Sequence, residues 1–175
     1  MTYKNEVINA MELLAKNEKV LFIGQTVACS GSAVYESLEK VPESKRIELP
    51  VMEDAQMGIA IGLSLEGFIP VSVYPRMDFL ILAMNQLVNH LDKLEEMSNQ
   101  GFRPKVIIRT IIGSTKPLYP GIQHCSDYTG AFKVLLKNVE VIKLINSKDI
   151  APTYKKALES DKSTLLIEVS DLYNE

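Results

Sequence analysis

"RIELPVMEDAQMGIAIGLSLEGFIPVSVYP", residues 46–75, holds a short strand, a proline, a helix opened by a carboxylate and a second, nearly continuous apolar strand. Pro50 marks the break between the first strand and the helix. Behind Glu53, the small residues Ala55, Gly58, Ala60 and Gly62 keep the first turns thin, so that another backbone or a flat ligand can come close. Apolar runs such as "GFIPVSVYP" belong to strands buried on both faces, and such strands make up parallel sheets. Strand, helix and strand in this order form one βαβ unit.

The rest of the chain repeats the alternation. Thr2 is placed to cap a helix running to about residue 17, because Val7, Ile8, Met11, Leu14 and Ala15 recur at helical spacing. "KVLFIG" reads as a buried strand, followed by the small-residue loop "QTVACSGS" and a helix over 33–38. Downstream, residues 78–97 carry Leu80, Met84, Leu87, Leu91 and Leu94 on one helical stripe. "KVIIRTII" is a fourth strand. The loop "GSTKPLYPGIQHCSD" after it is longer than most connections in compact domains, and such loops are usually functional or mobile. A helix over 128–135, the strand "VEVIKL", a helix over 147–159 with Ser147 as its cap, and the strand "TLLIEV" complete the chain. Six strands alternating with helices predict an α/β fold: a doubly wound, mostly parallel sheet with helices on both faces and right-handed crossovers.

At 175 residues the chain suits one domain, 1–175, with a core of its own. Apolar residues at 46% and charged residues at 23% are the ordinary globular mix, which argues against long disorder. A net charge of -3 with no run of Lys or Arg leaves no electrostatic footprint for nucleic acid or an anionic membrane. No apolar run reaches the roughly 18 residues of a spanning helix, and "MTYKNEVINA" lacks a signal-peptide core, so a cytoplasmic setting is expected. Cys29 and Cys125 lie far apart without Cys or His partners at metal-ligand spacing; both read as free thiols, and no metal site is expected from this chain's own residues.

Neither G-x-G-x-x-G after the first strand, nor G-x-x-x-x-G-K-[ST], nor G-x-S-x-G occurs, which removes the ordinary nucleotide-binding and hydrolase readings. The remaining polar candidates are Gln25, Glu53, Arg109, Gln123 and His124. Ligands of open α/β sheets lie outside the carboxyl ends of the strands. Gln25, Glu53, Arg109 and the His124 loop are each associated with such an end, so they are expected to share one rim.

Four stretches, "LFIGQTV", "LPVMEDAQMGIAIGLSLEGFIPV", "MDFLILAMNQLVNHLDKLEEMS" and "GIQHCSD" ahead of "TLLIEV", carry a resemblance that spans the whole chain. It resembles the pyrimidine-binding, transketolase-like domain of thiamine diphosphate enzymes, most nearly the N-terminal domain of the beta subunit of 2-oxo acid dehydrogenases. The second stretch is the most specific, pairing Pro50 and Glu53 with G-I-A-x-G and a later G-x-x-P. The resemblance implies that Glu53 hydrogen-bonds a ring nitrogen of the cofactor's aminopyrimidine. A carboxyl group there shares a proton with the ring, so that the exocyclic nitrogen can deprotonate the thiazolium carbon. It further implies that Phe79 stacks on the aminopyrimidine, that His124 lines the substrate side, and that Gln25 and Arg109 lie near the cofactor.

Three departures qualify these expectations. Gln25 stands where the resembling beta subunits carry an acidic residue. The given sequence ends at Glu175, where those chains continue into another domain, which suggests a subunit of a split enzyme. No G-D-G followed by Asn occurs, so the diphosphate and Mg2+ are expected to be held mainly by a partner chain in a dimer of heterodimers. The implied substrate is a small 2-oxo acid or a sugar; transketolase-type ketol transfer, a non-catalytic scaffold and a flavodoxin-like small-ligand module are the alternatives. Without the motif, Glu53 reads as a first-turn acid favoured by the helix dipole, Phe79 as core, His124 as a loop-ordering residue and Gln25 as a loop cap.

Overall fold

In the computed structural model, which describes residues 2–116 and 118–175, six strands form one sheet. They are Val20–Gly24 (β1), Arg46–Glu48 (β2), Ile69–Tyr74 (β3), Ile107–Ile112 (β4), Glu140–Lys143 (β5) and Thr164–Val169 (β6). The order is β2-β1-β3-β4-β6-β5, and every neighbouring pair runs parallel. Parallel neighbours need crossovers long enough to return the chain to the same end of the sheet. The helices supply them: Tyr3–Ala15 (α1), Ala33–Ser37 (α2), Glu53–Leu65 (α3), Met77–Leu80 (α4), Leu94–Met97 (α5), Thr129–Leu135 (α6) and Ser147–Glu159 (α7). The α/β, doubly wound architecture expected from the alternation is the one observed.

Strand residues divide by parity between two cores. Val20, Phe22, Val71, Val73, Ile107, Ile111 and Leu166 pack with residues of α1, α2 and α7. Ile23, Tyr74, Ile108, Ile112, Leu165 and Ile167 pack with α3, α6 and the segment after β3. The two faces thus bury separate apolar clusters, which is why β3, β4 and β6 read as continuous apolar runs.

Two local expectations are corrected. Residues 78–97 do not form one regular helix: α4 passes through a 3-10 turn, Ile81–Ala83, into a π-helical stretch, Asn85–Leu91, before α5. The stripe positions Leu80, Leu87 and Leu91 remain buried. Asp92 is buried beside Leu91, and its carboxylate accepts hydrogen bonds from the amides of Lys137, Asn138 and Val139 at 2.8 to 3.1 Å. Thr2 does cap α1, accepting from the Asn5 amide at 3.3 Å, but Ser147 is the first helical residue of α7; Asn146 occupies the cap position and makes no side-chain bond there. Among the described residues outside α3, nothing lies within 4 Å of a Cβ built on Gly62, and the nearest atom to one built on Gly58 is in the Gln86 side chain at 3.9 Å.

Candidate active site

The carboxyl ends of β1, β3, β4 and β6 border a cleft of about 500 Å³, within the usual range for a small-molecule site. Its walls include Gln25 and Thr26 after β1, Pro75, Arg76 and Phe79 after β3, Ser114 and His124 after β4, and Ser170 and Tyr173 after β6. It lies where chains leave β1 in opposite directions, β2 on one side and β3 on the other, which is the switch point at which open α/β sheets bind ligands.

Glu53 is the first residue of α3 and is only 5% exposed. Its Oε1 accepts a hydrogen bond from Gln25 Nε2 at 3.0 Å, and its backbone carbonyl accepts from the Tyr74 hydroxyl at 3.3 Å. Burial, before any other cause, raises the Tyr74 phenol far above its ordinary value, so it stays a donor. Glu53 therefore stands immediately behind Gln25, which itself lines the cleft. Among the described residues nothing donates to Oε2 of Glu53.

Across the cleft, the Phe79 and His124 rings meet edge to face, 5.6 Å between centroids with an 86° interplanar angle. The long loop returns His124 to this place because Gly113 lacks a side chain: a Cβ there would lie 1.8 Å from the His124 carbonyl oxygen. Further contacts tie the loop down. Ser126 donates its amide to Asp78, Tyr128 donates its amide to the Met77 sulfur, and Cys125 donates to the Ser114 carbonyl. At its start, Asp171 accepts from the amide and hydroxyl of Thr115, both at 2.7 Å. Those bonds hold the Asp171 carboxyl below the usual range, the Thr115 hydroxyl being the largest cause. His124 Nδ1 and Thr26 Oγ1 are buried atoms without hydrogen-bond partners among the described residues.

Of the six residues singled out from the sequence, the cleft brings together Gln25, Phe79 and His124, with Glu53 directly behind Gln25, while Gln123 is exposed and lies outside it. Arg109 is not among the residues that line the cleft. Its side chain is fully enclosed and forms a two-point ion pair with Glu168, Nε to Oε1 and Nη2 to Oε2, both 2.9 Å. Burial alone would lower the Arg109 guanidinium; the Glu168 carboxylate more than reverses that, and the net shift is upward. Tyr154 and Tyr173 also donate to Glu168. Arg109 thus supports the cleft from beneath Tyr173 and does not open onto it. Tyr173, Ser170, Arg76 and Ser114 were missed, although the rule that placed Gln25 and His124 at strand ends applies to them equally.

The lining itself offers a flat, polar heterocycle an aromatic ring, two buried polar atoms without partners among the described residues and one cation, Arg76, with the Glu53 carboxylate behind Gln25. Among the described residues no three His, Cys, Asp or Glu side chains gather to hold an ion. Among the same residues no helix is long and apolar enough to cross a membrane.

A six-stranded, all-parallel sheet with helices on both faces and a cleft at its switch point defines a doubly wound α/β domain. The chain belongs to the family described as "Transketolase, pyrimidine binding domain", whose model matches residues 2–175. It is 29% identical over 168 residues to the pyruvate dehydrogenase E1 component subunit beta of Staurastrum punctulatum, covering 93% of this chain and 50% of that protein. Identity reaches 31% over 137 residues with the 3-methyl-2-oxobutanoate dehydrogenase subunit beta of Mycobacterium tuberculosis, covering 75% of this chain and 38% of that one. Among solved structures, the fold is similar to that of a split-gene transketolase described as an inactive beta4 tetramer, with TM-score 0.74, 19% identity and coverage of 97% of this chain and 51% of that one. It is also similar to transketolase from Leishmania mexicana, with TM-score 0.73, 18% identity and coverage of 95% and 25%. The chain spans about half the length of the first pyruvate dehydrogenase relatives it matches.

Proposed function

We propose that residues 1–175 act as the single pyrimidine-binding domain of a cytoplasmic, thiamine diphosphate-dependent enzyme that works on a 2-oxo acid or a ketose. The observation that carries this reading is Glu53, nearly buried, with one carboxylate oxygen tied to Gln25 and the other without a protein donor, beside a cleft faced by Phe79 and His124. When bound, the cofactor supplies a carbon nucleophile and an electron sink. Glu53 holds a proton at Oε2 against the pyrimidine ring, Phe79 presents an aromatic surface that orients it, and the unpartnered Nδ1 of His124 is kept for a hydrogen bond on the substrate side.

A partner chain supplies the diphosphate and Mg2+ site, for which the cleft has no ligand set, and two such pairs assemble as a dimer of heterodimers. The isolated chain is then inactive; the split-gene transketolase similar to it in fold, an inactive tetramer of beta chains alone, supports that expectation. The relatives among 2-oxo acid dehydrogenase beta subunits favour a 2-oxo acid, and ketol transfer is the alternative. Glu53→Gln in the reconstituted complex tests the proposal. Activity is expected to fall by about two orders of magnitude or more with assembly intact; an unchanged rate would make the chain a scaffold.

A further inference from the structure

Glu48, the last residue of β2, is not a candidate on sequence grounds, yet its carboxylate gathers three backbone amides from the loop after β1. It accepts from Thr26 at 2.6 Å, from Ala28 at 2.7 Å and from Cys29 at 3.3 Å. The turn so held is an unusual one. Gly24 has φ +142°, and a Cβ on it would lie 2.3 Å from the Val73 carbonyl oxygen and 2.9 Å from Gln56 Nε2. Thr26, a β-branched residue, has φ +59°, a conformation that persists only where surrounding contacts over-determine it. Between these two positions sits Gln25, whose Nε2 reaches Oε1 of Glu53 at 3.0 Å.

We propose that Glu48 and Gln25 are positioning residues for Glu53: Glu48 fixes the turn, the turn aims the Gln25 amide at Oε1, and Oε2 is left as the oxygen available to a ligand. This inference rests on the function proposed for Glu53. An amide suits the task because it has hydrogens to donate and no carboxyl proton to exchange. It orients the carboxylate without competing for the proton that Glu53 is to share.

The test uses NMR on the full chain without ligand, comparing wild type with Gln25→Met, Gln25→Ala and Glu48→Gln. Amide signals of β1 and β3 verify that each variant folds. In wild type the Gln25 side-chain amide protons are expected to exchange with water about tenfold or more slowly than those of the exposed Gln123. Glu48→Gln is expected to remove most of that protection together with that of the Thr26 and Ala28 amides. Gln25→Met, which keeps the length and loses the donor, is expected to let Glu53 average between rotamers as it does in Gln25→Ala. A Glu53 side chain that stays in one rotamer in Gln25→Met, or Gln25 protection that survives Glu48→Gln, would overturn the inference. Because no cofactor enters the measurement, this outcome is separate from the activity of Glu53→Gln, which tests the function itself.

Discussion

Arg109 shows how one residue misleads when only its neighbours in sequence are known. A lone cation in the apolar run "KVIIRTII" invites a ligand, but its partner is Glu168, a lone anion in "TLLIEV" fifty-nine positions away. Both side chains are fully enclosed. Removing one partner of such a pair leaves an uncompensated buried charge, at a typical cost of about 3 to 5 kcal/mol. Arg109→Met is therefore expected to lower unfolding stability by roughly that amount in a urea titration, while Arg109→Met paired with Glu168→Leu recovers a large part of it. Additive losses in the double variant would argue against the ion pair. The signal that would have found the pair was present, in opposite charges each isolated in a buried strand. What the sequence lacks is the β4–β6 adjacency that joins them. Gln25 and His124 do line the cleft, where strand-end positions at a switch point lead, but the same rule also pointed to Arg109, and only the strand order shows which ends border the cleft.

Among the elements, the connection after β4 carries the clearest pH dependence. The Asp171 carboxyl is held below its ordinary value, chiefly by the Thr115 hydroxyl and further by the Thr115 and Lys116 amides. A lowered carboxyl contributes stability that is fully present above the unfolded value, about 3.9, and is lost as pH falls through the lower folded value. Protection of the Thr115 and Lys116 amides is expected to persist to about pH 4 and to disappear below it; Asp171→Asn should remove it at every pH. Hydrogen exchange resolved by residue reads both, and protection unchanged in Asp171→Asn would refute the latch. The loop's length announced it as functional or mobile, but its anchors were not legible: Gly113, Asp78 and Met77 act through backbone proximity that no periodicity encodes. The same limit holds for residues 78–97, where the apolar stripe was legible and the change from α to 3-10 to π winding was not.

For the molecule as a whole, the two cores and the buried tyrosines set the alkaline limit. Four of the seven tyrosines, Tyr3, Tyr74, Tyr154 and Tyr173, have phenols pushed upward, in each case by burial first. Groups raised in the folded state contribute stability that is complete below their unfolded value, near 10, and lost as pH rises through the folded one. Stability to urea is thus expected to be level to about pH 10 and to decline above it, with phenolate absorbance from these four appearing only together with unfolding. Full phenolate absorbance in a chain that keeps its far-ultraviolet circular dichroism would contradict this placement.

The most direct test of function joins Glu53 to the atom it is proposed to meet. Turnover of the complex with the diphosphate-binding partner is measured for wild type and Glu53→Gln, each with thiamine diphosphate and with an analogue whose pyrimidine nitrogen facing the carboxyl is replaced by carbon. Either change alone is expected to lower kcat/KM by about a hundredfold or more, and the second to add little once the first is made. Losses that multiply independently, or a Glu53→Gln complex as active as wild type, would contradict the assignment.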